Sequence, residues 1–196
     1  MRHGLLAATA AAGAMVLATT PANAVVHIDI FQSGANVEVT ATGSLDVTGA
    51  TFIGTSEIFP GIIVPPSSIW FIGLGTSGAN DLNTYALTSA DASFGTGSGV
   101  FSESSSSGTN FFIDGDSGTP DVGFSGSGAI SSQMAIDGVT LSAMGLIDGT
   151  YDFFLPNDEI ILTIAAPEPS TWALMLAGVA GLGAALRTRR GKLAAA

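Results

Sequence analysis

The sequence contains no cysteine and very little positive charge. The absence of cysteine excludes disulfide bonds, thiol catalysis and cysteine-ligated metal sites. The segment from Val25 to Ala166 has neither Lys nor Arg, although it holds all of the chain's 16 acidic residues except Glu168. The five basic residues lie near the termini, at positions Arg2, Arg187, Arg189, Arg190 and Lys192.

This charge imbalance restricts what the central segment can bind and how it can fold. An acidic surface without Lys or Arg repels phosphate, which excludes nucleic-acid binding, and it attracts divalent cations. The segment cannot form salt bridges with Lys or Arg, so its stability must come from apolar burial and hydrogen bonds. The chain is 46% hydrophobic, which is sufficient for a core, and its 196 residues predict one main domain.

Catalytic residue types are also scarce in the central segment. His27 is its only histidine, whereas a histidine-based zinc site needs at least two. A Ser-His-Asp triad would need His27 as its base, and no Gly-x-Ser-x-Gly elbow accompanies it. Paired carboxylates can hydrolyse glycosides, but nothing in the sequence singles out one pair. The only tryptophan of the central segment, Trp70, does not predict an aromatic sugar cleft. The sequence therefore predicts a protein that is not an enzyme and has no catalytic residues.

The first residues predict export. A short basic start is followed by an apolar, alanine-rich stretch over residues 4–20, and Pro21-Ala-Asn-Ala24 supplies a small-x-small cleavage site. This order is typical of a secretory signal peptide. We therefore predict that residues 1–24 form a signal-peptide helix, which uses the Sec translocon and is cut by signal peptidase after Ala24. A retained signal anchor is the alternative.

Residues 25–165 predict an all-β domain. Apolar and polar residues alternate at the start, which places Val26, Ile28 and Ile30 on one face of a strand. Turn-forming residues recur about every 8–12 residues, a spacing typical of antiparallel sandwiches and barrels. We predict a single antiparallel β-sandwich or jelly-roll-like domain with strands at residues 25–30, 36–41, 44–47, 50–53, 69–74, 84–88, 99–102, 110–113, 122–124, 127–136, 150–155 and 159–164.

Two stretches of the central segment are predicted to lie outside regular strands. Pro60, Pro65 and Pro66 cannot donate to a hydrogen-bond ladder, so residues 58–67 are predicted to be a loop or a sheet edge. The serine-rich residues 102–109 have little to bury and are predicted to form a mobile loop. Residues 69–74 are apolar on both faces and are therefore predicted to be either a central strand of a sheet or a strand whose outer face is covered.

The best candidate for metal binding is the acidic, glycine-rich segment from Asp114 to Asp121. Carboxylate oxygens of Asp114, Asp116 and Asp121 would suit Ca²⁺, which prefers oxygen ligands. The segment lacks the distal bidentate Glu of an EF-hand loop, and a solvated acidic turn is the simpler interpretation. We therefore predict no cofactor, and Ca²⁺ bound by these three residues is the alternative.

The C-terminal segment is predicted to cross a membrane. The uncharged run between Glu168 and Arg187 would be about 27 Å long as a helix, close to the thickness of a bilayer core, about 30 Å. Proline is not tolerated inside a helix, so the helix is predicted at about residues 170–187. Trp172 and Leu186 then mark the edges of the span, because tryptophan favours the headgroup region.

A basic cluster follows this run and predicts its orientation. Arginine clusters stay on the cytoplasmic side, so the cluster stops transfer and residues 191–196 form a short cytoplasmic tail. A buried core helix and an ordinary single-span anchor are the alternatives. The cluster consists of Arg187, Arg189 and Arg190.

The order of a Pro-Glu-Pro box, an apolar span and an arginine cluster resembles the PEP-CTERM sorting signal of exopolysaccharide-producing Gram-negative bacteria, a segment also known as the ice-binding protein C-terminal domain. The box is formed by Pro167, Glu168 and Pro169, and the resemblance covers residues 167–190. It implies that residues 166–190 are a sorting segment, recognised at the box and processed by exosortase, a membrane-embedded cysteine transpeptidase. A weaker resemblance covers residues 146–164, which are similar to the final hairpin of small PEP-CTERM proteins.

The resemblance implies a localisation and a general role. The chain would be exported, held transiently in the inner membrane, and then placed on the cell surface or in the extracellular matrix of a Gram-negative bacterium. We expect a structural, non-enzymatic role in an exopolysaccharide or biofilm, with extracellular polysaccharide as a further partner. A surface module that binds carbohydrate or Ca²⁺ is the alternative function.

Overall fold

The structure of this protein is a computed structural model. It describes residues 24–64, 70–76, 78, 82–90, 93–115, 119–125, 129–165 and 177–180. The regular elements of the central segment are β1 (Val25–Ser33), β2 (Asn36–Ser44), β3 (Phe52–Ser56), β4 (Gly61–Val64), β5 (Phe71–Leu74), β6 (Leu82–Ala86), β7 (Ser89–Ala90), β8 (Gly99–Ser102), β9 (Ser105–Gly108), β10 (Phe111–Asp114), β11 (Asp121–Phe124), β12 (Ala129–Ile136), α1 (Leu141–Met144), β13 (Gly149–Phe154) and β14 (Glu159–Ala165).

The strands form two sheets of seven strands each. Sheet A has the order β7-β13-β14-β1-β2-β12-β9, and sheet B has the order β3-β6-β11-β10-β5-β4-β8. The first and last strands, β1 and β14, pair in parallel, whereas the other described pairings are antiparallel. The described domain is therefore all-β and mainly antiparallel, as predicted, with one parallel pair that the prediction did not include.

The core lies between the two sheets, because one cluster of buried side chains draws on both of them. Val26, Ile28 and Ile30 of β1 are fully buried, which confirms the inward face predicted from the alternation. Trp70 lies in the same core, with its ring centroid 5.8 Å from that of Phe94 and 5.1 Å from that of Phe153. These apolar contacts stabilise a domain that has no Lys or Arg for ion pairs.

The proline-rich stretch contains a strand that the sequence did not predict. β4 lies between β5 and β8 in sheet B, so the prediction of a loop or an edge for residues 58–67 is wrong over Gly61–Val64. Pro60 precedes this strand, and Pro65 follows it in the sequence. The prolines therefore flank the ladder, and none has to donate a hydrogen bond within it.

The serine-rich stretch was also predicted wrongly, because residues 105–108 form the edge strand β9, which pairs with β12. Strand pairing uses backbone groups and does not require apolar side chains on an exposed edge. The Ser106 hydroxyl donates to the backbone carbonyl of Gln133 at 3.3 Å and accepts from the backbone N–H of Gly75 at 3.1 Å. This side chain therefore connects β9 with the end of β5 in the other sheet.

Other differences are local. The strand predicted for residues 44–47 does not form, since β2 ends at Ser44 and the chain leaves the sheet. The helix α1, which is one turn long, was not predicted. It begins after Thr140, whose hydroxyl accepts from the Ala143 backbone N–H, and it ends at Gly145 in the left-handed conformation. By contrast, β5 lies inside sheet B between β10 and β4, as its apolar character predicted.

Candidate functional site

The predicted sorting site lies largely outside the described residues. The box at Pro167, Glu168 and Pro169 is outside them, as are the span edges Trp172 and Leu186. The cluster of Arg187, Arg189 and Arg190 is outside them as well. Residues 177–180 of the predicted span are described, and they are helical. Within the part of the chain that the structure describes, no helix is long and apolar enough to cross a membrane.

The structure does describe how the folded domain leads into this segment. β14 ends at Ala165, which is opposite Phe31 of β1 in the sheet register. On its other side, β14 pairs with β13, where Gly149 is opposite Ile164. The last strand therefore has neighbours on both sides up to Ile164 and pairs with β1 alone at Ala165, two residues before the Pro-Glu-Pro box.

The predicted signal-peptide cleavage site lies at the other boundary of the domain. Ala24 is described directly before β1, which begins at Val25. The Val25 backbone is opposite Glu159 of β14, and the register continues to Phe31 opposite Ala165. Because these two strands are parallel, the chain enters and leaves sheet A at opposite ends of the same strand pair.

The predicted metal residues are partly brought together. Asp114, at the end of β10, lies directly opposite Asp121, at the start of β11, and both side chains are half-buried. Asp116 is outside the described residues. Among the described side chains, no group of three or more acidic or histidine residues could hold a metal ion. Ca²⁺ binding by these three residues therefore stays an untested alternative to the prediction of no cofactor.

His27 lies where the alternation predicted, on the outer face of sheet A, and its side chain is exposed. Its neighbours in the register are Ile161 of β14 and Thr42 of β2. Neither neighbour supplies a carboxylate that could orient a catalytic imidazole.

The outer face of sheet B carries a feature that sequence reasoning missed. Phe112 projects from this face between two glycines, Gly73 of β5 and Gly123 of β11. A Cβ atom on Gly123 would overlap the Phe112 ring, and one on Gly73 would lie 2.8 Å from the Phe59 carbonyl oxygen. The glycines therefore make room for the Phe112 ring and for the chain that crosses the sheet at Phe59.

This crossing segment is anchored by a small second core. Ile58 is fully buried against Phe112 and Leu82, and the Phe71 ring stacks on Phe112 with centroids 5.7 Å apart. The next residue, Phe59, points outward and is 63% exposed. The sequence signal for this arrangement was the apolar triplet Ile58-Phe59-Pro60, in a stretch that was predicted to be only a loop or an edge.

A groove lies between this crossing segment and the edge strand β8. We call it the outer groove and define it by Glu57, Phe59, Phe71, Val100, Ser102 and Asp114. Its volume is about 290 Å³. Val100 is 72% exposed, so the groove has exposed apolar walls on both sides and carboxylates at its margins.

A buried carboxylate is found at the turn between β13 and β14. Asp158 is only 8% exposed and accepts from the backbone N–H of Asp46 at 2.6 Å and from that of Glu159 at 2.8 Å. Burial raises the pKa of Asp158 and the nearby Asp46 carboxylate adds to the increase, while the two N–H groups oppose it. The pKa of Asp46 is lowered by hydrogen bonds from the Thr48 side chain and backbone. The hydrogen bond from the Asp46 backbone N–H to Asp158 ties the segment after β2 to the final hairpin.

We expect the Asp158→Ala variant to lose about 2 kcal/mol or more of unfolding free energy, because two backbone N–H groups lose their acceptor. The raised pKa of Asp158 means that the folded state takes up a proton at higher pH than the unfolded chain. The wild type should therefore gain stability relative to Asp158→Asn as the pH falls through this pKa towards the ordinary aspartate value. Urea unfolding across this pH range measures both effects.

The exposed Asp148→Ala variant is the matched control and should change stability by less than about 0.5 kcal/mol. If the difference in unfolding free energy between the wild type and Asp158→Asn is the same at every pH, the burial of this carboxyl has no effect on its titration.

The comparison with known families concerns the C-terminal end of the chain. The family described as the PEP-CTERM protein-sorting motif matches residues 165–190. No curated protein and no solved structure matches the chain. A motif of this kind implies export and processing at the membrane by exosortase, a membrane transpeptidase. The chain thus carries a PEP-CTERM sorting segment that begins at Ala165, the last residue of its β domain.

Proposed function

We propose that this chain is an exported, non-enzymatic protein of the cell surface or extracellular matrix. An exosortase recognises the box at Pro167, Glu168 and Pro169 and removes the tail that follows. The β domain is then the mature product, and it contributes to an exopolysaccharide or biofilm matrix.

The observation that carries this proposal is the coincidence of the sorting segment with the end of the fold. The family match begins at Ala165, and β14 ends at the same residue. β14 lies inside sheet A between β1 and β13. A cut at the box therefore leaves the sheet complete, whereas a cut before Ile164 would remove backbone partners from both neighbouring strands.

The other boundary supports the same interpretation. β1 begins at Val25, directly after the predicted signal-peptidase site at Ala24. All described strands and the buried hydrophobic core lie between Val25 and Ala165. This segment therefore contains a complete core of its own, as expected of a cargo domain that is separated from both terminal segments.

A matrix role agrees with the charge of this product. Removal of both terminal segments leaves a domain with no Lys or Arg and with every acidic residue except Glu168. Such a domain stays soluble and repels other anionic polymers at low salt. A non-enzymatic role is supported by the sequence, in which His27 is the only histidine of this domain.

Mass spectrometry of the protein isolated from producing cells tests the proposal. We expect a mature N-terminus at Val25 and a C-terminus between Ala165 and Pro169, in material recovered from the cell surface or the matrix. Cells that lack the exosortase are the control and should accumulate a chain that still ends at Ala196. Detection of that intact chain as the main form in exosortase-positive cells would show that the tail is an ordinary anchor.

A further inference from the structure

The outer groove exposes apolar surface that the fold itself does not use. Phe59 and Val100 are 63% and 72% exposed on opposite sides of the groove, although each is followed by a buried or half-buried neighbour. The strand register places Phe71 next to Asp114 on one side and next to Ile63 of β4 on the other. Ile63 is in turn opposite Val100. Exposed apolar groups rimmed by polar ones mark interaction sites on soluble proteins.

The polar groups of the groove determine which ligands it can accept. Glu57 and Asp114 are carboxylates, and an ionised carboxylate only accepts hydrogen bonds. Asp121 lies directly opposite Asp114 and adds a second carboxyl group beside the groove. The domain has no Lys or Arg that could offset this charge. A ligand must therefore be rich in hydrogen-bond donors, and a positive charge on it is favoured.

The size of the groove indicates a single ring. Its volume of about 290 Å³ is just below the usual range for small-molecule pockets, about 300–1,000 Å³. A pyranose presents apolar C–H groups on its faces and hydroxyl donors around its edge, which matches apolar walls formed by Phe59 and Val100 with carboxylates at the margins. A protonated amine on the ring would contact both the carboxylates and the face of an aromatic ring.

We propose that the outer groove binds a protonated amino sugar of an extracellular polysaccharide. The sugar packs between Phe59 and Val100, and its ammonium and hydroxyl groups donate to Glu57 and Asp114. The same carboxylates exclude sugars that carry an acid. This inference rests on the proposed function in one respect, because sorting brings the domain to the polymer outside the cell. Binding by the purified domain does not depend on sorting.

Calorimetry with the purified Val25–Ala165 domain, which contains its own core, tests the proposal. The probe is a short oligomer of glucosamine, in mildly acidic buffer where its amines are protonated, at about 0.15 M salt to screen non-specific attraction. We expect binding to be at least about ten-fold tighter than for the matching N-acetylglucosamine oligomer, since acetylation removes the charge. An oligogalacturonate should not bind.

Variants then locate the site. Phe59→Ala and Glu57→Gln change exposed side chains, so the fold should be kept, and each should weaken binding by about ten-fold. Phe154→Ala and Asp29→Asn, which change exposed residues of sheet A, are the matched controls and should bind as the wild type does. Melting curves confirm that all four variants are folded.

Three results would overturn the inference. Equal affinity for the acetylated oligomer would exclude recognition of the amine. Equal losses of affinity for the glucosamine oligomer in the groove variants and the sheet A controls would show that binding comes from the overall charge of the domain. A lysine peptide of the same charge that binds as tightly as the oligomer would exclude a sugar as the preferred ligand. None of these results bears on the mature C-terminus, so a failure here is distinguishable from a failure of the sorting proposal.

Discussion

Replacing Pro167, Glu168 and Pro169 together by alanine is expected to abolish the processed form of this protein completely. The change removes the only acidic side chain of the tail and two residues without a backbone N–H. A transpeptidase that recognises this box would lose its substrate, while the apolar span and the arginine cluster remain. The intact chain should therefore accumulate in the membrane fraction, as measured by immunoblotting and by mass spectrometry of the C-terminus.

The folded domain provides the internal control for this experiment. The box follows Ala165, where β14 ends, so the triple variant should keep the thermal melting temperature and the protease resistance of the wild-type domain. A second control replaces Pro156, an exposed residue of the turn between β13 and β14, by alanine and should leave processing unchanged. Normal release of the triple variant would show that the box is not the recognition element.

The Gly43→Ala variant is expected to lose about 2–5 kcal/mol of unfolding free energy, because it combines backbone strain with overpacking. Gly43 has φ +134° in β2 and lies between Val26 of β1 and Ile130 of β12. A Cβ atom at this position would overlap the backbone carbonyl oxygen of Val25. The overlap is with the backbone of β1, which lies next to β2 inside sheet A, so β1 and β2 must separate to remove it.

Gly34→Ala is the matched control for this loss. Gly34 also has a positive φ, +63°, but no atom lies within 4 Å of an added Cβ. Its substitution should cost only the left-handed backbone conformation, about 1 kcal/mol. Urea unfolding of both variants separates the two contributions. Equal losses would show that crowding against Val25 does not contribute.

The distribution of charge, the sorting segment and the predicted signal peptide follow from the sequence alone. They depend on order and composition over short stretches, such as the Pro-Glu-Pro box and the predicted cleavage site after Ala24. The buried faces of β1 and β2 also follow from the sequence, because successive side chains of a strand point to opposite faces and a strand with one buried face is apolar at every second residue. Val26, Ile28 and Ile30 are fully buried as that repeat predicted. The same alternation buries Val37, Val39 and Ala41 of β2.

The remaining strands and the surface features were decided by pairing between distant segments of the chain. Gly61–Val64 and Ser105–Gly108 are strands because neighbouring strands supply backbone partners, and local composition argues against both. The carboxylate of Asp158 is placed by Asp46, which is 112 residues away in the sequence. The outer groove likewise combines Phe59, Val100 and Asp114 from three parts of the chain. Such features depend on which strands become neighbours, and that is determined by the packing of the whole domain.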